Sequence, residues 1–181
     1  MAVSRIAALE ALVAQGDSAA MAELTEIGLA LAKGRQVERD LALAASCYRC
    51  AAEAGFVIAQ YNLACMYLYG TGLPRDLQAA RHWFNLAACA GDCDAQFNLA
   101  VIYERGLGVE EDLAQAFDWY EKAALNGSGR AQYDLASMYQ HGKYVPASRQ
   151  KAIYWFEKAR AAGLSRAQTN IDEILAGSGG V

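Results

Sequence analysis

The sequence predicts an all-α fold, a right-handed α-α superhelix (solenoid) built from helix-turn-helix repeats of 36 residues. Three observations lead to this prediction. One motif returns every 36 residues without gaps, apolar side chains within each copy follow a helical period, and 38 of the 181 residues are alanine. Hydrophobic residues make up 55% of the chain, yet the mean hydropathy is only +0.04. Much of the apolar content is therefore small side chains, which suit close helix packing.

The period is clearest in one hexapeptide. Ala59-Gln60-Tyr61-Asn62-Leu63-Ala64 returns at residues 95–100 and 131–136, and in part at residues 167–171. Glycine and tryptophan recur in further registers, at Gly34, Gly70, Gly106 and Gly142, at Gly55, Gly91, Gly127 and Gly163, and at Trp83, Trp119 and Trp155. The register predicts four full repeats, 20–55, 56–91, 92–127 and 128–163.

Each repeat is predicted to contain two helices. In the first, Ala59, Leu63 and Tyr67 share one face of a helix with 3.6 residues per turn, and Ala80, Phe84 and Ala87 do the same in the second. The sequence between them reads Gly70-Thr71-Gly72-Leu73-Pro74-Arg75-Asp76. The glycines permit a positive φ in the turn, and the aspartate is placed to cap the next helix.

Elements outside the four repeats are expected to complete one repeat domain over residues 1–181. Residues 4–15 are predicted to form an N-terminal capping helix. Residues 164–175 repeat only the first helix of a unit and form a C-terminal half-repeat, and 176–181 are predicted to be a flexible tail. A single repeat cannot cover its own apolar face, so neighbouring repeats must stack.

This pattern resembles the Sel1-like repeat family, a 36-residue relative of the tetratricopeptide repeats. The shared residues are Ala-x-x-x-Leu-[Gly/Ala]-x-x-Tyr-x-x-Gly-x-Gly-[Val/Leu]-x-x-Asp in the first half, then alanines, Trp, an aromatic residue and a closing glycine. The resemblance covers about four-fifths of the chain. Departures are local: Glu23, Leu31 and Cys47 replace Ala, Tyr and Trp in the first repeat, and Tyr144 and Ser148 replace Gly and Asp in the fourth. Those turns are expected to be reshaped.

Charge and length exclude several classes of protein. The net charge is -4 and the pI about 5.2, which argues against a nucleic-acid partner. No apolar run is long enough for a membrane span, and residues 1–15 do not read as a signal peptide. The expected location is cytoplasmic, or periplasmic if a leader has been removed. The five cysteines are then expected to be reduced, and the chain to be a monomer.

Four motifs suggest catalysis or the binding of a metal or a phosphate, and each is better explained without such a site. Ser148-x-x-Lys151 matches a spacing found in penicillin-recognising enzymes, but Ser148 occupies the capping position of Asp76. Cys47-x-x-Cys50 suggests zinc or a redox couple, but Cys47 occupies a tryptophan position expected to be buried and Cys50 is expected to face water. His82 and His141 have no partner at ligand spacing, and the paired turn glycines lack the rest of a phosphate-binding loop. We therefore expect no catalytic residues, no metal and no cofactor.

The resemblance implies a concave groove lined by the first helix of each repeat, as in tetratricopeptide repeats. The groove positions form a ladder of aromatic rings beside a ladder of amide and carboxyl side chains. They are Tyr61, Asn62, Cys65, Leu68 and Tyr69, then Phe97, Asn98, Val101, Glu104 and Arg105, then Tyr133, Asp134, Ser137, Gln140 and His141, and Asn170. The asparagines are explained equally well as ligand contacts or as ties between adjacent repeats.

The favoured function is a non-catalytic protein-protein interaction module, an adaptor that binds a peptide or partner protein in this groove. The resemblance implies bacterial roles in signalling, envelope assembly, secretion or host interaction. Two alternatives remain: a penicillin-interacting or β-lactamase-like enzyme of the same repeat family, and a structural protein whose ends stack into oligomers.

Overall fold

The computed structural model describes residues 2–177, with side chains from Ser4 onward, and over that range it contains ten α-helices and no β-strand. The helices are α1 (Ala2–Val13), α2 (Ser18–Lys33), α3 (Leu41–Glu53), α4 (Val57–Tyr69), α5 (Leu77–Cys89), α6 (Cys93–Arg105), α7 (Leu113–Leu125), α8 (Gly129–His141), α9 (Arg149–Ala161) and α10 (Ala167–Ala176). Residues 178–181 of the predicted tail lie outside the described part of the chain.

The chain divides into two compact units, Met1–Ala90 and Gly91–Val181. In the first unit, α1 packs on α2 and α3, and the helices from α2 to α5 pack in consecutive pairs. In the second, α6 to α10 also pack in consecutive pairs. Each unit has its own apolar core. Consecutive pairing is what stacked helical hairpins require, because each helix buries its apolar stripe against its neighbours along the chain.

Alanine and one aromatic ring per repeat make up most of the core. Ala59, Ala95 and Ala131 are completely buried at the same position of three first helices. Phe84, Tyr120 and Phe156 are fully buried in the second helices, whereas the tryptophans before them are only half-buried. The expectation that the tryptophan position is the buried one was therefore wrong for the tryptophans themselves, although Cys47 at that position is fully buried.

Short polar side chains begin most of the helices. Asp76 Oδ1 accepts hydrogen bonds from the backbone N–H groups of Gln78 and Ala79, both at 2.9 Å. Asp112 accepts from the N–H of Gln115 at 2.9 Å, and Ser148 occupies the same position before α9. These contacts satisfy N–H groups that have no partner within the helix. The predicted capping role of Asp76, Asp112 and Ser148 is confirmed.

The turn between the two helices keeps one backbone conformation in all four repeats. Gly72 and Gly108 have φ values of 76° and 71°, and Gln36 and Tyr144 occupy the equivalent positions with φ values of 61° and 69°. The expectation that the fourth turn is reshaped was therefore wrong. A non-glycine residue accepts a costly left-handed conformation there, and Tyr144 packs its ring 5.6 Å from that of Phe117.

Gly72 is required for a second reason, which is close approach to the preceding repeat. A Cβ atom at this position would lie 2.5 Å from the carbonyl oxygen of Leu41, at the start of α3. By contrast, Gly55 has a φ of 92° but open space around its missing Cβ. An alanine at position 55 would therefore meet only the cost of the backbone conformation, whereas an alanine at position 72 would also meet a steric clash.

We predict that Gly72→Ala destabilises the protein much more than Gly55→Ala. Gly55→Ala should lower the free energy of unfolding by about 1 kcal/mol, the cost of a left-handed residue with a Cβ. Gly72→Ala adds a backbone clash and should cost roughly 2–4 kcal/mol. Chemical denaturation followed by circular dichroism measures both values, and equal losses would contradict a close approach at Leu41.

Candidate functional site

The second unit contains a pocket of about 240 Å³ on the inner side of α6 and α8. Both are first helices of consecutive repeats. Seven of the groove residues predicted from the sequence line it. The full lining is Phe97, Val101, Glu104, Arg105, Tyr120, Asp134, Ser137, Met138, His141 and Lys143.

Glu104 uses both carboxylate oxygens on one side of the pocket. Oε2 accepts a 2.9 Å hydrogen bond from the Tyr120 hydroxyl, and Oε1 accepts from Lys143 Nζ at 2.7 Å. Burial acts to raise the pKa of Glu104, but the bonds from Lys143 and Tyr120 outweigh it and hold the pKa below its ordinary value. Burial and the Glu104 charge also raise the pKa of Tyr120, which stays a donor. Glu104 is therefore an ionised and satisfied carboxylate.

Asp134 presents a contrasting carboxylate to the same pocket. It is half-buried, and within residues 4–177 no donor forms a hydrogen bond to it. Burial raises its pKa from 3.8 to about 6, and the Glu104 charge acts in the same direction. Arg166, Arg130 and Arg105 oppose this effect only in part. A donor from outside would stabilise the ionised form of Asp134.

The aromatic ladder is held by the buried rings of the second helices. Tyr61 lies edge-on to Phe84 at 5.9 Å, Phe97 to Tyr120 at 5.7 Å, and Tyr133 to Phe156 at 5.2 Å between ring centroids. Arginines of the following repeat cover two of these rings. Arg130 lies 4.6 Å from the centroid of Phe97, and Arg166 lies 4.0 Å from that of Tyr133. These rings thus belong to the packing of the repeats as much as to the inner surface.

The predicted residues of α4 belong to the first unit. Asn62 and Cys65 are half-buried, and Tyr69 is 68% exposed at the end of the helix. In the second unit, Asn98 Nδ2 donates to the carbonyl of Asp94 at 2.8 Å, one turn back in its own helix. Asn170 accepts from the Tyr133 hydroxyl at 3.0 Å and so ties α10 to α8. The two asparagines therefore have different roles.

Buried glutamines that were not predicted as site residues connect consecutive helices at the same register of three repeats. Gln60 Nε2 donates to the carbonyl of Ala52 at 3.2 Å, and Gln132 Nε2 donates to that of Ala124 at 3.0 Å. Gln96, at the same register, accepts from Asn126 Nδ2 at 3.0 Å. A polar residue repeated beside completely buried alanines was the signal for this contact, because buried polar groups need partners.

Tyr120, Met138 and Lys143 line the pocket but were missed from the sequence. Tyr120 replaces the phenylalanine found at positions 84 and 156, and Glu104 replaces Leu68 and Gln140 of the neighbouring repeats. The signal in the sequence was that both polar residues occur in the same repeat. In the structure they are hydrogen-bonded to each other. The position of Lys143 could not be inferred, since it lies in the turn after α8.

Comparison with known proteins decides the family. The profile of the Sel1 repeat family matches residues 19–56, 57–92, 93–128 and 129–164. The chain belongs to the Sel1 repeat family. Each of the last three matches starts one residue after the repeat predicted from the sequence. No curated protein matches the chain.

Solved Sel1 repeat structures share the fold. A protective antigen of uropathogenic Escherichia coli strains with an SLR fold has a TM-score of 0.79 and 35% identity, over 88% of this chain and 34% of that one. A Sel1 repeat protein from Oxalobacter formigenes has a TM-score of 0.82 and 30% identity, over 89% of this chain and 66% of that one. A Sel1 repeat protein from Klebsiella pneumoniae subsp. pneumoniae has a TM-score of 0.52 and 26% identity, over 89% and 79%. The predicted fold class, an all-α solenoid, is confirmed.

Sel1 repeat proteins are generally protein-interaction modules and are generally not enzymes. The chain spans about a third of the E. coli protein and 66% of the Oxalobacter protein. Within residues 2–177, no helix has both the length and the apolar content needed to cross a bilayer.

The pocket brings Asp134, Ser137 and His141 together, three residue types that form hydrolytic triads elsewhere. All three lie on α8, and no hydrogen bond joins them in the described part of the chain. Asp134 and His141 are seven positions apart, which separates them by roughly 10 Å along the helix axis. The geometry therefore gives no relay for proton transfer among these three side chains.

The other motifs also have structural explanations. The backbone N–H of Lys151 donates to Ser148 Oγ at 3.4 Å, while Lys151 Nζ lies 4.8 Å from the ring centroid of Tyr139. Cys47 is fully buried, and Cys50 is half-buried against the core, so the prediction that Cys50 faces water was wrong. Burial raises the pKa of Cys47 to about 11 and also raises that of Cys50, which makes both thiols poor nucleophiles.

We predict that Asp134→Asn stabilises the protein at neutral pH. The native state holds the Asp134 proton more tightly than the unfolded chain does, so stability falls as pH rises from about 4 to about 6. Asparagine removes this penalty. The variant should gain roughly 1–2 kcal/mol in free energy of unfolding at about pH 7.5 and nothing below about pH 3.5.

Urea denaturation across this pH range measures the difference between the variant and the parent chain. Asp118→Asn is the matched control, because Asp118 is an exposed aspartate on α7. A pH-independent difference for Asp134→Asn, or an equal gain in the control, would refute the assignment of a desolvated carboxylate.

Proposed function

We propose that this chain is a non-catalytic interaction module that binds a peptide segment of a partner protein along the inner side of its first helices. The pocket between α6 and α8 would be the main contact in the second unit. Tyr61, Asn62, Cys65 and Tyr69 of α4 would form a separate contact within the first unit.

The supporting observation is how the repeats differ from one another. Core positions of the first helix are identical in three repeats, as with Leu63, Leu99 and Leu135. Several positions that line the pocket differ between repeats: the lining residues Val101 and Ser137 stand where α4 has Cys65, and Glu104 stands where α4 has Leu68. A purely structural surface would need the same residue in each copy, because each copy makes the same contacts. Variation at these lining positions is what recognition of a non-repetitive partner requires.

The pocket chemistry suits a peptide. Its lining contains two acidic and two basic side chains beside Phe97, Val101 and Met138. A surface of this kind offers acceptors and donors for a main chain and apolar area for a side chain. The net charge of -4 favours a protein partner over nucleic acid. The cytoplasmic location, the monomeric state and the adaptor role remain predictions from the sequence.

Ser137→Leu is predicted to abolish peptide binding while leaving the fold intact. Leucine is a good helix former, and at position 137 it would occupy the pocket. Short random peptides displayed on phage are selected against the parent chain, and individual clones are then tested by biolayer interferometry. Clones should lose at least about tenfold in affinity for Ser137→Leu, which is about 1.4 kcal/mol.

Ser46→Leu is the control, because Ser46 is exposed on α3, a second helix. Clones should bind this variant as they bind the parent chain. Selected peptides that bind all three proteins equally would contradict a pocket-based interaction, and so would a selection that enriches no peptide. The chosen substitutions avoid Phe97, whose loss would disturb the buried ring of Tyr120.

A fluorescent penicillin is predicted to leave the protein unlabelled. Ser148 Oγ is committed to the N-terminus of α9, and Lys151 Nζ lies on the Tyr139 ring and forms no hydrogen bond to Ser148 in the described residues. Without a base the serine hydroxyl is a weak nucleophile. Intact-mass spectrometry after incubation should show no adduct, and an acylated Ser148 peptide would restore the enzymatic alternative.

A further inference from the structure

The pocket between α6 and α8 contains an acceptor that the protein leaves unused. This inference rests on the proposed function and specifies the chemistry of the bound segment. We propose that the pocket takes a lysine side chain of the partner, with its ammonium group on Asp134 and its methylene stem against Phe97, Val101 and Met138.

Among the acidic side chains at this pocket, Asp134 is the one without a hydrogen-bond donor from the described residues. Glu104 is taken by Lys143 and Tyr120, and on the same inner side Asp94 is taken by Arg130 at 2.5 Å. Asp134 receives no such donor from the described residues, although it is half-buried. A half-buried carboxylate without a donor is costly, and an ammonium group supplies both the donor and the compensating charge.

Other charged and titratable groups surround Asp134, and they set the limits of the interaction. Arg105 on α6, Arg130 on α8 and Arg166 before α10 are cationic, whereas Glu104 on α6 is anionic. His141 also lines the pocket, as does Lys143, which is paired with Glu104. Arg130 is paired with Asp94, and Arg166 lies on the ring of Tyr133. Arg105 is exposed, so solvent and salt screen its charge. An acidic side chain would meet both Glu104 and Asp134, which favours the cationic occupant.

The size and walls of the pocket match one long side chain. Its volume of about 240 Å³ is below the range of ordinary small-molecule sites, which begin at about 300 Å³. Phe97, Val101 and Met138 supply apolar surface beside the carboxylate. Lysine buries its methylene stem on such surfaces while its charged end reaches a polar group. A compact ammonium also suits a single carboxylate better than a planar guanidinium does.

The experiment uses three blocked tripeptides, acetyl-Ala-X-Ala-amide with X as lysine, norleucine or glutamate. Binding is followed by NMR of the protein with ¹³C-labelled methionine methyl groups, since Met138 lines the pocket. The lysine peptide should shift the Met138 signal saturably at up to about 20 mM, the range expected for one side chain. The norleucine and glutamate peptides should bind at least about tenfold more weakly.

A pH series and two variants test the role of Asp134. The lysine peptide prefers the ionised carboxylate, so its affinity should fall about tenfold from about pH 7.5 to about pH 5. In Asp134→Asn the binding should be lost at both pH values, and in Asp118→Asn it should be unchanged. Both variants replace one carboxylate oxygen by an amide group. In Asp134→Asn the change lies in the pocket, and in Asp118→Asn it lies at an exposed position of α7.

Several results would overturn the lysine assignment. They are equal binding of the norleucine peptide, tighter binding of the glutamate peptide, stronger binding at low pH, or no shift of Met138 by the lysine peptide. The proposed function would stand after any of these if phage-selected peptides still lost binding with Ser137→Leu. Selected peptides that depend on Ser137 and are rich in lysine would support both.

Discussion

In the last three full repeats, the rest of the repeat depends on the edge-on contact between a fully buried ring of the second helix and a ring of the first helix. Phe84, Tyr120 and Phe156 lie beneath the first helix and receive the edge of Tyr61, Phe97 and Tyr133. Completely buried alanines allow the helices to come close enough for this contact. An aromatic pair of this geometry adds about 0.5–1.5 kcal/mol beyond its buried area. The ring thereby fixes the inner-surface residues of its own repeat.

The same contact explains why the pocket lies between the third and fourth repeats. Tyr120 brings a hydroxyl group into a position that is phenylalanine in the repeats on either side, and a buried hydroxyl needs an acceptor. Glu104 supplies it at 2.9 Å, and Lys143 then balances the charge of Glu104. The polar lining thus begins at a single substitution in the core. It ends in a network that holds one carboxylate ionised and leaves the neighbouring one, Asp134, without a donor.

The sequence was sufficient for the fold because its signals are local and repeated. Spacing of 3.6 residues, capping by Asp76, Asp112 and Ser148, and glycine at the turns each act within a few residues. Contacts between elements distant in the chain could not be read in this way. The donation by Gln132 to Ala124 depends on helix packing, as does the close approach of Gly72 to Leu41. The left-handed Tyr144 likewise shows that the turn is held by its surroundings as well as by glycine.

For the site, the sequence indicated positions but not their chemical state. Seven lining residues are among the groove positions that the resemblance to tetratricopeptide repeats implied. The difference between Glu104 and Asp134 depends on which donors reach each carboxylate, and those donors come from α7 and from the turn after α8. An asparagine at position 134, as in the neighbouring repeats, would avoid the cost of desolvating a charge. Asp134 lowers the stability of the fold, and a role for its charge in binding explains why it is there. A bound cation would supply the stabilising interaction that the folded chain does not provide.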